Sequence, residues 1–152
     1  MDGAVSQPTV ATPMVERGGS GRQTATLLFA DYGMNIPSQA LIAHNDTIAQ
    51  NPDMVRRFLA ATLKGWEEAE KDPKAAAAVL VRLATDPKPT TTDVDTLQAT
   101  LFFARTDRMR GKPFGIAAKD DLEESLDVLS KSGMTKTRVP LTSVYTDAML
   151  PK

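Results

Sequence analysis

His44 is the only histidine and the chain has no cysteine, which excludes a thiolate nucleophile, a cysteine-ligated zinc and any disulfide framework. A histidine-based acid–base or metal site would have to join His44 to Asp46, Asp31 or a more distant carboxylate. Neither H-E-x-x-H nor a second histidine exists, so His44 reads as the polar end of a buried strand. Asp120, Asp121, Glu123 and Glu124 have the residue types for paired-carboxylate chemistry. They surround Leu122 and Leu126 in the first turns of a helix, where negative charge suits the dipole, and they read as a solvated face. Gly18-Gly19-Ser20-Gly21 lacks the Lys-Ser/Thr ending of a phosphate loop, and Gly111-Lys112-Pro113 puts proline where a hydroxyl should meet magnesium, so both read as turns. Arg105, Arg108, Arg110 and Lys112 form a basic cluster fit either for an anionic partner or for the C-terminal end of a helix. Trp66 falls on an apolar helical stripe and reads as core rather than as a stacking platform.

One constellation is better suited to binding. Ser6-Gln7-Pro8 follows a short apolar stub, Gly3 to Val5, and opens a helix carrying Val10 and Met14. A strand-to-helix turn of that kind offers free backbone N–H groups at the place where ligands collect in open α/β sheets. Tyr32, Gly33 and Asn35 follow a second strand-like run, Thr24 to Ala30. If the two strands are neighbours, Ser6, Gln7, Tyr32 and Asn35 line one crevice with neutral hydrogen-bonding groups and a ring, a lining for a small polar or heteroaromatic ligand. Ser6 has no Gly-x-Ser-x-Gly context, so the crevice reads as binding and not catalytic. Simple capping and turn chemistry explains the same residues equally well.

The elements that must position these groups change character along the chain. Gln39 to His44 is a short apolar run ambiguous between strand and helix. From Asn51-Pro52-Asp53 onward the pattern is helical. Val55, Phe58, Leu59, Thr62, Leu63, Trp66 and Ala69 recur at three- and four-residue spacing, and Asp72-Pro73 ends that helix and begins another with Ala76, Val79, Leu80 and Leu83 inward. Thr92 or Asp93 can cap a third helix through Val94, Leu97, Leu101 and Ala104. Leu122, Leu126 and Leu129 mark a fourth that Gly133 can terminate, and the tail from Val139 wraps over the rest.

The 152 residues suit one domain, and 18 Lys+Arg against 19 Asp+Glu give a net charge of -1, with no basic field for nucleic acid or an anionic leaflet. The longest apolar runs, such as Ala75 to Val81, are far short of the ~20 residues a membrane span needs. Met1 to Val15 carries Asp2, Gly3, Pro8 and Pro13 and has neither a basic n-region nor an unbroken apolar stretch, so no export signal is expected in the chain as written. Two or three short strands and four helices do not cover a sheet on both faces, so the chain reads as the later part of something larger.

The stretch from Phe29 to His44 (FADYGMNIPSQALIAH), followed by Asn51 to Glu67 (NPDMVRRFLAATLKGWE) and the Asp72-Pro73-Lys74 step, resembles the C-terminal half of substrate-binding proteins of ABC importers. The most similar group shares the NMT1/THI5-like domain, and its members bind sulfonates, taurine, nitrate or pyrimidine precursors of thiamine. The resemblance implies an α/β, partial type II periplasmic-binding-protein-like fold, with short strands at the N-terminal end and a helix-rich C-terminal part. It implies a single truncated module over 1–152, with 1–35 the end of the second ligand-binding lobe and 36–152 the crossover and helices that would pack on a missing first lobe.

On this resemblance, Ser6, Gln7, Tyr32 and Asn35 are the ligand-binding residues, the ligand is a small polar solute held between lobes, and the partners are the permease subunits of an importer. The implied location is periplasmic or otherwise extracytoplasmic. Eukaryotic pyrimidine synthases that share the domain rely on a cysteine-rich iron motif with histidine and lysine, which a chain without cysteine and with one histidine does not supply. The expectation is therefore a binding protein, not an enzyme, with no catalytic residue, cofactor or metal. The alternative from another class is a free-standing helical interaction domain that uses the Arg105 to Lys112 cluster or an apolar helix face.

Overall fold

The computed structural model describes residues 25–35, 39–85 and 94–151. Five α-helices run through them: α1 (Asn45–Gln50), α2 (Pro52–Lys71), α3 (Pro73–Leu83), α4 (Val94–Phe103) and α5 (Lys119–Lys131), with 3-10 turns at Phe29–Tyr32, Asp107–Met109 and Leu141–Ser143. They divide into two units, one holding 25–28, 67–85 and 94–103, the other 29–35, 39–66 and 104–151.

Among the described residues there is no strand, which corrects the expectation for the run ending at Ala30. Residues 25–28 are irregular, and Phe29–Tyr32 closes into a 3-10 turn. A β-prone run becomes a strand only when a neighbour pairs its N–H and C=O groups, and this one has no such neighbour among the described residues. Leu27 and Phe29 are correspondingly exposed. Residues 39–44 form neither strand nor helix and lead into α1. The expected strand at Gly3 to Val5 and the helix after it lie outside the described residues.

The helical half follows the sequence more closely. In α2, Val55, Leu59, Thr62, Leu63, Trp66 and Ala69 are half-buried, as the 3.6-residue period requires. Phe58 is the exception, 59% exposed. Asp72 ends α2, its N–H returning to the Glu68 carbonyl, and starts α3 by accepting a 2.9 Å hydrogen bond from the Ala75 N–H. Pro73 then occupies the first turn, where a missing N–H costs nothing.

In the first unit α3 packs against α4. The buried residues there are Ala77 and Leu101. The inward stripe expected on α3 is not the one observed, because Val79, Leu80 and Leu83 are exposed. Residues Ala75 to Val81 are apolar all round, so periodicity cannot choose a face. On α4, Leu101 lies inward as its spacing with Val94 and Leu97 anticipated.

In the second unit the core holds Met109 and Phe114. Phe114 lies 5.6 Å from Trp66, centroid to centroid, with the Arg105 guanidinium 3.6 Å over its ring. Gly115 turns the chain at φ +87, and a Cβ there would meet Leu63 Cδ2 at 2.7 Å and Leu150 Cδ2 at 3.2 Å. Glycine is thus required twice, by conformation and by space. The tail lies back over this unit as expected: Leu141–Ser143 packs on α5, and the Ala117 N–H donates to Tyr145 Oη at 3.5 Å. Gly133, at φ +75, terminates α5, and the Thr135 N–H returns to the Leu129 carbonyl.

Candidate functional site

Of the four residues expected to bind ligand, Ser6 and Gln7 lie outside the described residues. Tyr32 closes the Phe29–Tyr32 turn and is 72% exposed, while Asn35 is half-buried three residues later. The turn is tied by Gly33 N–H to the Ala30 carbonyl (3.1 Å) and Met34 N–H to the Phe29 carbonyl (3.0 Å), with Gly33 at φ +85. That left-handed residue swings the chain between the phenol and the amide. The arrangement leaves the Tyr32 ring open to solvent.

His44 is not the end of a buried strand. It is the exposed N-cap of α1, its Nδ1 accepting from the Asp46 N–H at 3.2 Å, with the Asp46 carboxylate 3.4 Å away. An imidazole can replace the usual hydroxyl or carboxylate cap because one ring nitrogen keeps a lone pair. Among the described residues, no group of three His, Asp or Glu side chains gathers to hold a metal ion.

The acidic run on α5 departs furthest from its sequence reading. Asp121 is fully buried and not part of a solvated face. Its carboxylate accepts from Thr106 Oγ1 and from Arg108, and Arg108 reaches on to Glu124 Oε1 at 2.8 Å. Ser125, also buried, donates back to the Asp121 carbonyl at 2.6 Å. Residues 121 and 125 lie on one helical face, and the segment 104–118 brings Thr106 and Arg108 to it. Glu124 first and then Asp121 hold the Arg108 proton more tightly than usual, and Arg108 in turn keeps Glu124 below the ordinary carboxylate value. A buried carboxylate that accepts from both a hydroxyl and a guanidinium has its hydrogen-bonding capacity engaged within the protein.

Contacts within the protein also engage the three arginines of the basic cluster, though not Lys112. Arg108 is engaged by Asp121 and Glu124, Arg110 Nε by Asp107 at 2.8 Å, and Arg105 lies over Phe114. On the far side of α5, Arg138 donates to Asp127 Oδ1 at 2.5 Å and to Glu123. Every acid of the 120–127 run except Asp120 thus meets a cation from another segment. A local reading cannot find this, because the partners lie 11 to 16 residues away in the chain.

Residues 4–76 match the family model described as NMT1/THI5 like. The chain therefore carries an NMT1/THI5-like region. It spans just under half of the sequence and contains the Phe29 to His44 stretch, the α2 helix and the Asp72-Pro73 step. No curated protein and no solved structure matches the chain. No helix among the described residues is long and apolar enough to cross a membrane.

Proposed function

We propose that the chain is part of the solute-binding component of an ABC-type importer, working outside the cytoplasm and handing its ligand to membrane permease subunits. The observation that carries this reading is the NMT1/THI5-like match over residues 4–76, within which all four expected ligand contacts fall. The solute is a small polar organic molecule or anion of the pyrimidine-precursor, sulfonate, taurine or nitrate type. Ser6 and Gln7 supply a hydroxyl and an amide, and Tyr32 and Asn35 a stacking ring and a second amide. In this reading 1–35 ends the second lobe of a type II periplasmic-binding-protein-like fold, and 36–152 provides the crossover and the helices beyond it.

The mechanism is population shift without covalent chemistry. A solute touching both lobes binds the closed form more tightly than the open one, and the permease recognises the closed form. The exposed ring of Tyr32 and the half-buried amide of Asn35 are compatible with such a contact, since neither is committed to the interior. The reading that uses the Arg105 to Lys112 cluster for a protein partner is weakened by the internal engagement of Arg105, Arg108 and Arg110.

The test is calorimetric melting of the chain with taurine, an alkanesulfonate, nitrate and an aminopyrimidine, each at millimolar concentration. One class raises the melting temperature, by an amount corresponding to about 2.7 kcal/mol at a hundredfold excess over Kd. Tyr32→Ala and Asn35→Ala abolish that rise and leave the ligand-free melt unchanged. No shift with any class overturns the reading.

A further inference from the structure

Beyond Arg138 the chain crosses its unit as a strap. Arg138 fixes the root by donating to Asp127 and Glu123 of α5. From Val139 to Pro151 no residue is buried, and the backbone hydrogen bonds of this stretch stay within it. Ser143 N–H returns to the Pro140 carbonyl at 3.0 Å, Val144 and Tyr145 to Leu141 at 3.1 and 2.9 Å, and Leu150 to Asp147 at 3.0 Å. Side chains hold the strap down. Leu141–Ser143 packs on α5, and Tyr145 Oη accepts from the Ala117 N–H at 3.5 Å, close to the limit of a hydrogen bond. At the far end half-buried Leu150 meets Gly115, whose missing side chain leaves a notch shared with Leu63 of α2.

We propose that residues 139–151 open as one piece about Val139, lifting Leu150 out of the Gly115 notch while Arg138 stays on α5 and the rest of the unit stays folded. Opening breaks no backbone-to-backbone hydrogen bond to the body among the described residues, which sets this stretch apart from α5, whose amides are bonded within a helix. Turns this short do not hold by themselves in water, so the lifted strap gives up its internal hydrogen bonds as well. Leu63 and Gly115 are then left facing solvent. The notch is thus a site that the chain itself fills and can vacate, a conformational device independent of which solute the chain binds.

Native-state hydrogen exchange of the full chain, followed by NMR through low concentrations of denaturant, tests this. The amides of Ala117, Tyr145 and Leu150 share one protection, at least about tenfold below that of Leu126 in α5, with a small denaturant slope because opening exposes little surface. Leu150→Asp speeds exchange at Ala117, Tyr145 and the residue 150 amide by about tenfold or more and leaves Leu126 unchanged. If these amides exchange in the parent chain with the protection and slope of Leu126, the strap opens only when the unit unfolds and the proposal is overturned. An effect of Leu150→Asp confined to position 150 also overturns it, because the tail then frays from its end instead of lifting in one piece. Should Leu150→Asp lower the protection of Leu126 as well, the denaturant series on the parent chain decides alone.

Discussion

Arg108 and Asp121 join the segment after α4 to the first turn of α5 through a hydrogen-bonded ion pair in which the carboxylate has no exposed surface and the guanidinium is half-exposed. The asymmetry decides what each substitution does. Removing the acid leaves Thr106 Oγ1 and one arm of Arg108 without an acceptor, whereas removing the arginine leaves a buried charge. Asp121→Ala is expected to cost about 2–3 kcal/mol, less than a fully buried pair because Arg108 keeps Glu124 and water. Asp121→Asn, which preserves shape, should cost less. Denaturant melts of the two variants check this; equal stability of Asp121→Ala and the parent would show that the carboxylate is not structural.

Gly115 and Gly133 both have positive φ, but only Gly115 is crowded. Gly133→Ala therefore meets conformational strain alone, about 1 kcal/mol, while Gly115→Ala adds a clash with Leu63 and should cost about 2–3 kcal/mol. Leu63→Ala in the Gly115→Ala background should recover part of the difference, because it removes the obstructing methyl groups. If the two glycine variants melt alike, the space argument at Gly115 fails.

Acid and salt should loosen the tail before the rest of its unit. Arg138 holds Asp127 below its ordinary 3.8, and Arg108 holds Glu124 below its ordinary 4.5. Both are depressed carboxylates, so their contribution is present above those ordinary values and disappears as pH falls through the lower folded ones. Stability should be flat from neutral pH to about pH 5 and decline below about 4.5. The complementary rise at Arg138, caused by Asp127 and then Glu123, matters only at extreme alkalinity. These pairs are half-exposed, so the effect is modest and salt-sensitive. Hydrogen exchange at Thr135 and Tyr145 amides in high salt, and in Arg138→Gln, measures it; exchange unaffected by either change would remove the ionic clip.

Sequence carried the helices well where one residue type does one local job. Asp72 is both stop and cap, Gly133 ends α5, and the α2 stripe is read from spacing alone. It failed where the outcome depends on a distant partner. Residues 25–30 are β-prone but find no strand to pair with among the described residues. Asp121 looks like any first-turn acid until Thr106 and Arg108 arrive. Of the expected ligand contacts, Tyr32 is exposed and Asn35 half-buried, and Ser6 and Gln7 lie outside the described residues.

The packing of Trp66 on Phe114 has an optical consequence. Trp66 is the only tryptophan, and the two tyrosines, Tyr32 and Tyr145, belong to the same unit. Emission and near-ultraviolet signals therefore report that unit alone, and unfolding of the α3–α4 pair, which carries phenylalanine but no stronger chromophore, is invisible to them. A mismatch between fluorescence and calorimetric transitions would then measure how independently the two units unfold, with no label introduced.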